Sequence, residues 1–170
     1  VVADNAFMKK AAAFAEKNNL VYCFDNAYSE FTFDNYQSPS ALEFTQNCIE
    51  FHSLSKTFNM TGDRIGFAVG DAALVSGLKK VKSNIDSGTP MYIQRAAIVA
   101  LESYKGKQPP KEVRENMKEC EKRRDVLCEG LQKLGFNATK PKATFYLWVP
   151  TGGIPASELV TKLLDVGVVA

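Results

Sequence analysis

The chain has a single histidine, His52, and its four cysteines, Cys23, Cys48, Cys120 and Cys128, form no CxxC pair and no zinc-like spacing with that histidine. Metal binding is therefore not expected, and the cysteines read as small apolar core residues of a reducing compartment. No apolar run reaches transmembrane length and no signal peptide is visible, which makes the cytoplasm the default location. Charge blocks are missing as well. The 21 basic and 19 acidic residues are mixed, for a formal net charge of +2, so neither nucleic acid nor a membrane surface is expected as a partner. Internal repeats and low-complexity tracts are lacking. What is present suffices for a packed core: 170 residues, 45% hydrophobic and 11% aromatic.

Along the chain, Ala6 to Lys17 predicts a helix with Phe7, Ala11 and Phe14 at helical spacing, Asp4 as N-cap and Asn18-Asn19 at its end. Leu20 to Phe24 predicts a strand ending at Asp25. The segment 29–40 predicts an irregular loop with Phe31, Phe33 and Tyr36 folded inward. Cys48 to Phe51 predicts a second strand, far enough on for a crossover and a parallel pairing, and Ile65 to Val69 an antiparallel return. Helices are expected over Asp71 to Lys82 and from Tyr92 to Tyr104, with Ser83 to Pro90 as a loop between them. The Gly106 to Pro110 break suggests a domain boundary, dividing 1–106 from 107–170. Beyond it the pattern predicts a long amphipathic helix, Lys111 to Leu134, with Val113, Met117, Cys120, Val126, Leu127 and Leu131 on its apolar side. A short strand near Phe136, a strand over Thr144 to Val149 and a helix from Ser157 to Leu164 capped by Ser157 follow. Val166 to Ala170 reads as the start of another strand. The fold class is thus α/β, a mixed and mostly parallel sheet with helices, followed by the start of a small α+β domain.

One stretch concentrates the chemistry. From Ser53 to Gly66 it holds Ser53, Ser55, Lys56, Gly62 and Arg64, an amine that can become nucleophilic beside donors suited to phosphate. Taken alone, Ser-Leu-Ser-Lys is a common exposed-loop run. Asp25 and Tyr28 add a carboxylate and a phenol at another strand's carboxyl end, where ligands gather in open α/β sheets. Together they form the inventory of a pyridoxal phosphate pocket.

Asp-x-x-Tyr, then Ser-x-Ser-Lys, then an arginine eight residues after the lysine, resembles the fold-type I aminotransferases of class I/II. The segments Glu50 to Thr57, Asn59 to Gly62, Lys82 to Gly88 and Lys142 to Trp148 resemble the LL-diaminopimelate aminotransferase branch. The resemblance implies that Lys56 carries pyridoxal 5'-phosphate through a Schiff base and moves the proton, while Asp25 holds the pyridinium and Tyr28 the ring oxygen. It assigns the phosphate to Ser53, Ser55 and Arg64. It implies transfer of an amino group between an amino acid, LL-diaminopimelate in lysine biosynthesis, and 2-oxoglutarate. It also implies a homodimer approached through 84–89. Asp63 stands where related sequences often carry an aromatic residue. His52 reads as a core residue beside the cofactor strand and Trp148 as small-domain packing.

The family's phosphate loop, ring-stacking aromatic, Asn-Pro-Gly type segment and substrate-carboxylate arginine have no counterpart here. The chain is therefore expected to be an internal piece of an aminotransferase more than twice its length, incomplete in catalysis alone. Three rivals remain. An aspartate, aromatic or N-succinyldiaminopimelate aminotransferase would share the motif, and so would a fragment that binds the cofactor without transamination. A serine enzyme would use Ser53-Leu54-Ser55-Lys56 as Ser-x-x-Lys, but its Ser-Asp-Asn and Lys-Thr-Gly companions are absent, and its motif should open a helix rather than follow a strand.

Overall fold

The computed structural model describes residues 2–169, and its order begins with the first helix, α1 (Asn5–Lys17). Asp4 is the N-cap, its carboxylate accepting from the Phe7 amide at 2.8 Å, and the Asn18 side chain closes the other end on the Phe14 carbonyl. The buried face is one residue away from the expected one. Met8, Ala12 and Ala15 face inward, whereas Phe7 and Phe14 are 59% and 63% exposed. Packing decides the rotation: Met8 is enclosed with Ala41 and Cys48, bordered by Tyr22, Phe24 and Phe44, and its sulfur accepts from the Tyr22 hydroxyl. Burying a methionine of this kind contributes about 2 kcal/mol.

Three strands form one sheet in the order β1 (Tyr22–Asp25), β2 (Cys48–Ser53), β3 (Gly66–Gly70). β1 runs parallel to β2 with Asp25 opposite Phe51, and β2 runs antiparallel to β3 with Ser53 opposite Gly66, the expected pairings. The loop 29–40 buries Phe31 and Phe33 as expected and leads to a 3-10 turn, Ala41–Glu43, capped by Ser40. Cys48 is buried, but Cys23 is exposed on the other face of its strand, which corrects its reading as a core residue.

The one-turn helix α2 (Leu54–Thr57) lies between β2 and β3; after β3, the helix α3 (Ala72–Ile85) starts on an Asp71 cap and extends three residues into the expected loop. α4 (Met91–Glu102) buries Ala97, while Val99 is 68% exposed. α5 (Lys111–Lys133) ends where Gly135 takes a left-handed φ of 87°. Its inner face is Val113, Arg124 and Cys128, and Val126 and Leu127 lie outside, contrary to the expected stripe. Arg124 sets that rotation. Its guanidinium pairs with Asp34 at 2.7 Å, donates to the Pro141 carbonyl at 3.0 Å and lies 4.8 Å over the Phe33 ring.

The later strands are not found. Residues near Phe136 and over 144–149 are extended or bent without a ladder, the nearest approach being a single bridge, Thr32 to Ala143. A strand needs a neighbour for its backbone groups, and no second extended segment lies alongside among the described residues. Trp148, expected to pack, is 78% exposed. The last helix, α6 (Ala156–Asp165), begins after Pro155 without a side-chain cap, so Ser157 lies inside it rather than capping it. It ends on Gly167, with the Val168 amide on the Leu163 carbonyl; Val168 and Val169 form no strand, and Ala170 lies outside the described residues. No helix among the described residues is long and apolar enough to cross a membrane.

Candidate active site

Parallel pairing brings the carboxyl ends of β1 and β2 to the same edge, and side-chain alternation sorts their residues by face. Asp25, Phe51 and Ser53 share one face; Phe24, Glu50 and His52 share the other. Gly66 lets β3 approach closely, because a Cβ there would stand 2.4 Å from the His52 carbonyl oxygen.

The lysine stretch does not stay a loop. Ser53 leaves the strand with extended backbone angles and becomes the N-cap of a one-turn helix, α2 (Leu54–Thr57), its hydroxyl accepting from the Ser55 amide at 3.2 Å. The Ser53 to Lys56 motif thus follows a strand and also opens a helix, so that geometry no longer separates it from the serine-enzyme pattern. Among the described residues no hydrogen bond joins Ser53 to Lys56, and the companion motifs remain absent. The next turn returns through Asn59 and Arg64, both at positive φ (55° and 53°). Thr61 ties it down, donating to the Ser55 carbonyl at 3.1 Å, while Arg64 donates to the Thr61 carbonyl at 3.0 Å. Left-handed backbone at a long side chain is strained, and that turn ties the exposed guanidinium to Thr61 and, through the Thr61 hydroxyl, to the backbone of the buried Ser55.

An aromatic group stands against the lysine. Lys56 Nζ lies 5.4 Å from the centre of the Phe145 ring, and Phe145 packs edge-on to Tyr28 and Phe31 at 5.5 and 5.3 Å. Thr144 at φ 66°, with its amide on the Phe31 carbonyl, turns the chain so that Phe145 and Tyr146 meet Tyr28. The Tyr28 hydroxyl is 3.3 Å from that of Tyr146. Burial, the Tyr146 hydrogen bond and the nearby Asp25 charge push the Tyr28 phenol up to about 12, so it remains a donor throughout the neutral range.

On the opposite face Glu50 is 1% exposed and its carboxylate is fully partnered. One oxygen accepts from Asn26 Nδ2 at 2.6 Å and His52 Nε2 at 2.9 Å, the other from the Ser40 hydroxyl at 2.7 Å and the Ala41 amide at 2.9 Å. Burial alone would raise its pKa, but the donors from His52, Asn26, Ser40 and Ala41 outweigh it and hold the carboxyl at about 2. His52 stacks on Phe67 at 4.9 Å and meets the Ser29 hydroxyl through its other nitrogen at 3.3 Å.

The structure gathers the six sequence-predicted residues along one sheet edge. Asp25 and Ser53 lie at neighbouring strand ends, Ser55 and Lys56 on the turn that Ser53 caps, and Arg64 on the return; Tyr28 shares the Phe145 ring with Lys56. The amine, two hydroxyls and guanidinium can meet a carbonyl and an anion, and the carboxylate and phenol can meet a basic nitrogen and an oxyanion. Sequence reasoning missed Asn26, Glu50, Phe145 and Tyr146 as neighbours of this group. Glu50 left a signal, a charge inside the apolar run Cys48-Ile49-Glu50-Phe51; Phe145 and Tyr146 left none, because their approach depends on a turn at Thr144.

The family model described as aminotransferase class I and II matches residues 1–170. The chain is 46% identical over 168 residues to an LL-diaminopimelate aminotransferase of Dehalococcoides mccartyi, covering 96% of this chain and 42% of that protein. It is 44% identical to LL-diaminopimelate aminotransferase 2 of Trichormus variabilis, covering 94% of this chain and 40% of that protein. Among solved structures, substrate-bound BacF from Bacillus subtilis superposes with a TM-score of 0.84 at 33% identity, over 97% of this chain and 42% of that one. An aromatic aminotransferase from Pyrococcus horikoshii superposes with a TM-score of 0.87 at 25% identity, over 97% of this chain and 45% of that one. The chain spans about two-fifths of the length of the curated relatives it matches.

Proposed function

The chain belongs to the class I and II aminotransferase family, and from that premise we propose that it forms part of an LL-diaminopimelate aminotransferase, moving an amino group between LL-diaminopimelate and 2-oxoglutarate. The shared substrate name of its curated relatives supports the donor. The observation that carries the reading is the one sheet edge where Asp25 and Ser53 end neighbouring strands, with Ser55, Lys56 and Arg64 on the turns that follow Ser53 and with Tyr28 against Phe145, the ring that faces Lys56. Their donor set fits pyridoxal 5'-phosphate, with a lysine for the aldehyde, a carboxylate for the pyridine nitrogen, a phenol for the ring oxygen and two hydroxyls with a guanidinium for the phosphate.

When bound, the cofactor supplies an electron sink for charge developing at the substrate α-carbon. Lys56 anchors it and then takes and returns the α-proton with its amine. Asp25, an anion at a strand end, holds a proton on the ring nitrogen. Tyr28 donates its hydroxyl, which its raised pKa keeps protonated. Ser53, Ser55 and Arg64 bind the phosphate, and the ring of Phe145 shields one side of the lysine from water. A homodimer, a cytoplasmic location and a division into a cofactor domain (1–106) and the start of a small domain (107–170) belong to the same proposal.

Borohydride reduction of the chain mixed with the cofactor, followed by mass mapping, tests it. A stable adduct on Lys56, lost in Lys56→Ala, is expected; an adduct elsewhere, or none here and none in the full-length protein, overturns the cofactor assignment. Activity of the full-length protein with aspartate or aromatic donors but not LL-diaminopimelate would overturn the substrate.

A further inference from the structure

A buried carboxylate inside a three-stranded sheet is costly unless it holds something in place. Glu50 draws donors from three separate segments, and two of them are chain neighbours of site residues: Asn26 follows Asp25, and His52 precedes Ser53. The Asn26 amide also closes on the Phe51 carbonyl at 2.8 Å, so the point where the chain leaves β1 is fixed to β2 by backbone and side chain together. His52 is fixed by its stack on Phe67 of β3. The carboxylate lies on the sheet face opposite Asp25 and Ser53, so it touches neither.

We propose that Glu50 is a positioning residue, which sets the placement of Asp25 and of the Ser53-capped lysine turn relative to each other through Asn26 and His52. The inference rests on the cofactor reading for its functional meaning, and on the hydrogen bonds alone for its structural content.

Amide hydrogen exchange in the cofactor-free chain tests it. Two amides report on the two strand ends: Asn26, bonded to Phe51, and Phe58, bonded to Leu54 across the lysine turn. Glu50→Gln keeps the shape but sets an amide group against donors, so exchange at both should rise about tenfold while amides in α5 stay unchanged. Unchanged exchange at Asn26 and Phe58, or an equal rise in α5, overturns the proposal. If Glu50→Gln fails to fold, His52 decides. His52→Gln keeps a donor toward Glu50 but loses the stack on Phe67, and should speed exchange at Phe58 less than His52→Phe, which keeps the stack without the donor. Equal behaviour of the two overturns the proposal. Cofactor titration then adds the functional arm: Glu50→Gln and His52→Phe should weaken capture about tenfold and His52→Gln less, and native capture in all three overturns the link to the site. If the native chain captures no cofactor, the titration is made in the full-length protein; no capture there overturns the cofactor reading, and the exchange data still decide the positioning role.

Discussion

The two faces of the β1–β2–β3 sheet are made by alternate residues of the same strands, yet they are built differently. One face packs Tyr22, Phe24 and Cys48 under α1 and the 3-10 turn, and encloses Glu50 with a partner for each of its oxygens. The other presents Cys23 and Asp25 to solvent and leads through Ser53 into the lysine turn. Order is concentrated on the side away from the chemistry. A site that must bind and release can leave its reactive groups exposed only if something rigid holds their backbone, and here that support is a few ångströms away across the pleat.

If this contrast is sound, the same strands should respond in opposite ways to substitution. Glu50→Ala leaves three side-chain donors, from Asn26, His52 and Ser40, and the Ala41 amide without their acceptor, and should cost about 3 to 5 kcal/mol in urea unfolding. A loss below about 1 kcal/mol would show that the enclosed face is not where the stability resides. Acid should act in the same direction but less strongly. The Glu50 carboxyl titrates at about 2 in the folded chain against an ordinary 4.5, so its stabilisation is complete above about pH 4.5 and is lost as the pH falls toward 2. At about 1.4 kcal/mol for each pH unit between those two values, the loss is roughly 3 kcal/mol. Unfolding free energies of the native chain and Glu50→Gln, measured from pH 6 to 2.5, should converge as the pH falls. Parallel curves would refute the assignment.

The faces also explain what was legible in the sequence. The pairing of the strands that end at Asp25 and Ser53 follows from two apolar runs of strand length and a connection long enough for a crossover, and both runs find their partners in the chain. Asp4, Asp71 and Gly135 mark helix ends through local chemistry that needs no distant contact. Features that depend on a neighbour elsewhere were misread. The face of α1 turned on Met8 meeting Cys48, the inner side of α5 on Arg124 meeting Asp34, and the strand over 144–149 on a ladder that these residues do not find. At the site, the residue types announced their chemistry, while the Phe145 contact came from a backbone turn at Thr144 with no local signature.

The smallest expected effect is the sharpest test of the contrast. Asp25 ends β1 on the open face; it is exposed, and its backbone is already held by pairing with Phe51 and by the Asn26 amide beyond it. Asp25→Asn keeps the side chain's shape and removes only a charge in contact with water, so thermal or urea stability should change by no more than about 0.5 kcal/mol. Tyr28 should respond instead, because the Asp25 charge is one of the causes that raise its phenol. Its titration, followed by ultraviolet absorbance between pH 9 and 13, should move down in Asp25→Asn, with burial and the Tyr146 hydrogen bond still keeping it above the ordinary value. Cofactor capture should weaken at the same time. A variant that lost stability comparable to Glu50→Ala would mean that the open face bears load too, and the division between a supporting face and a reacting face would not stand.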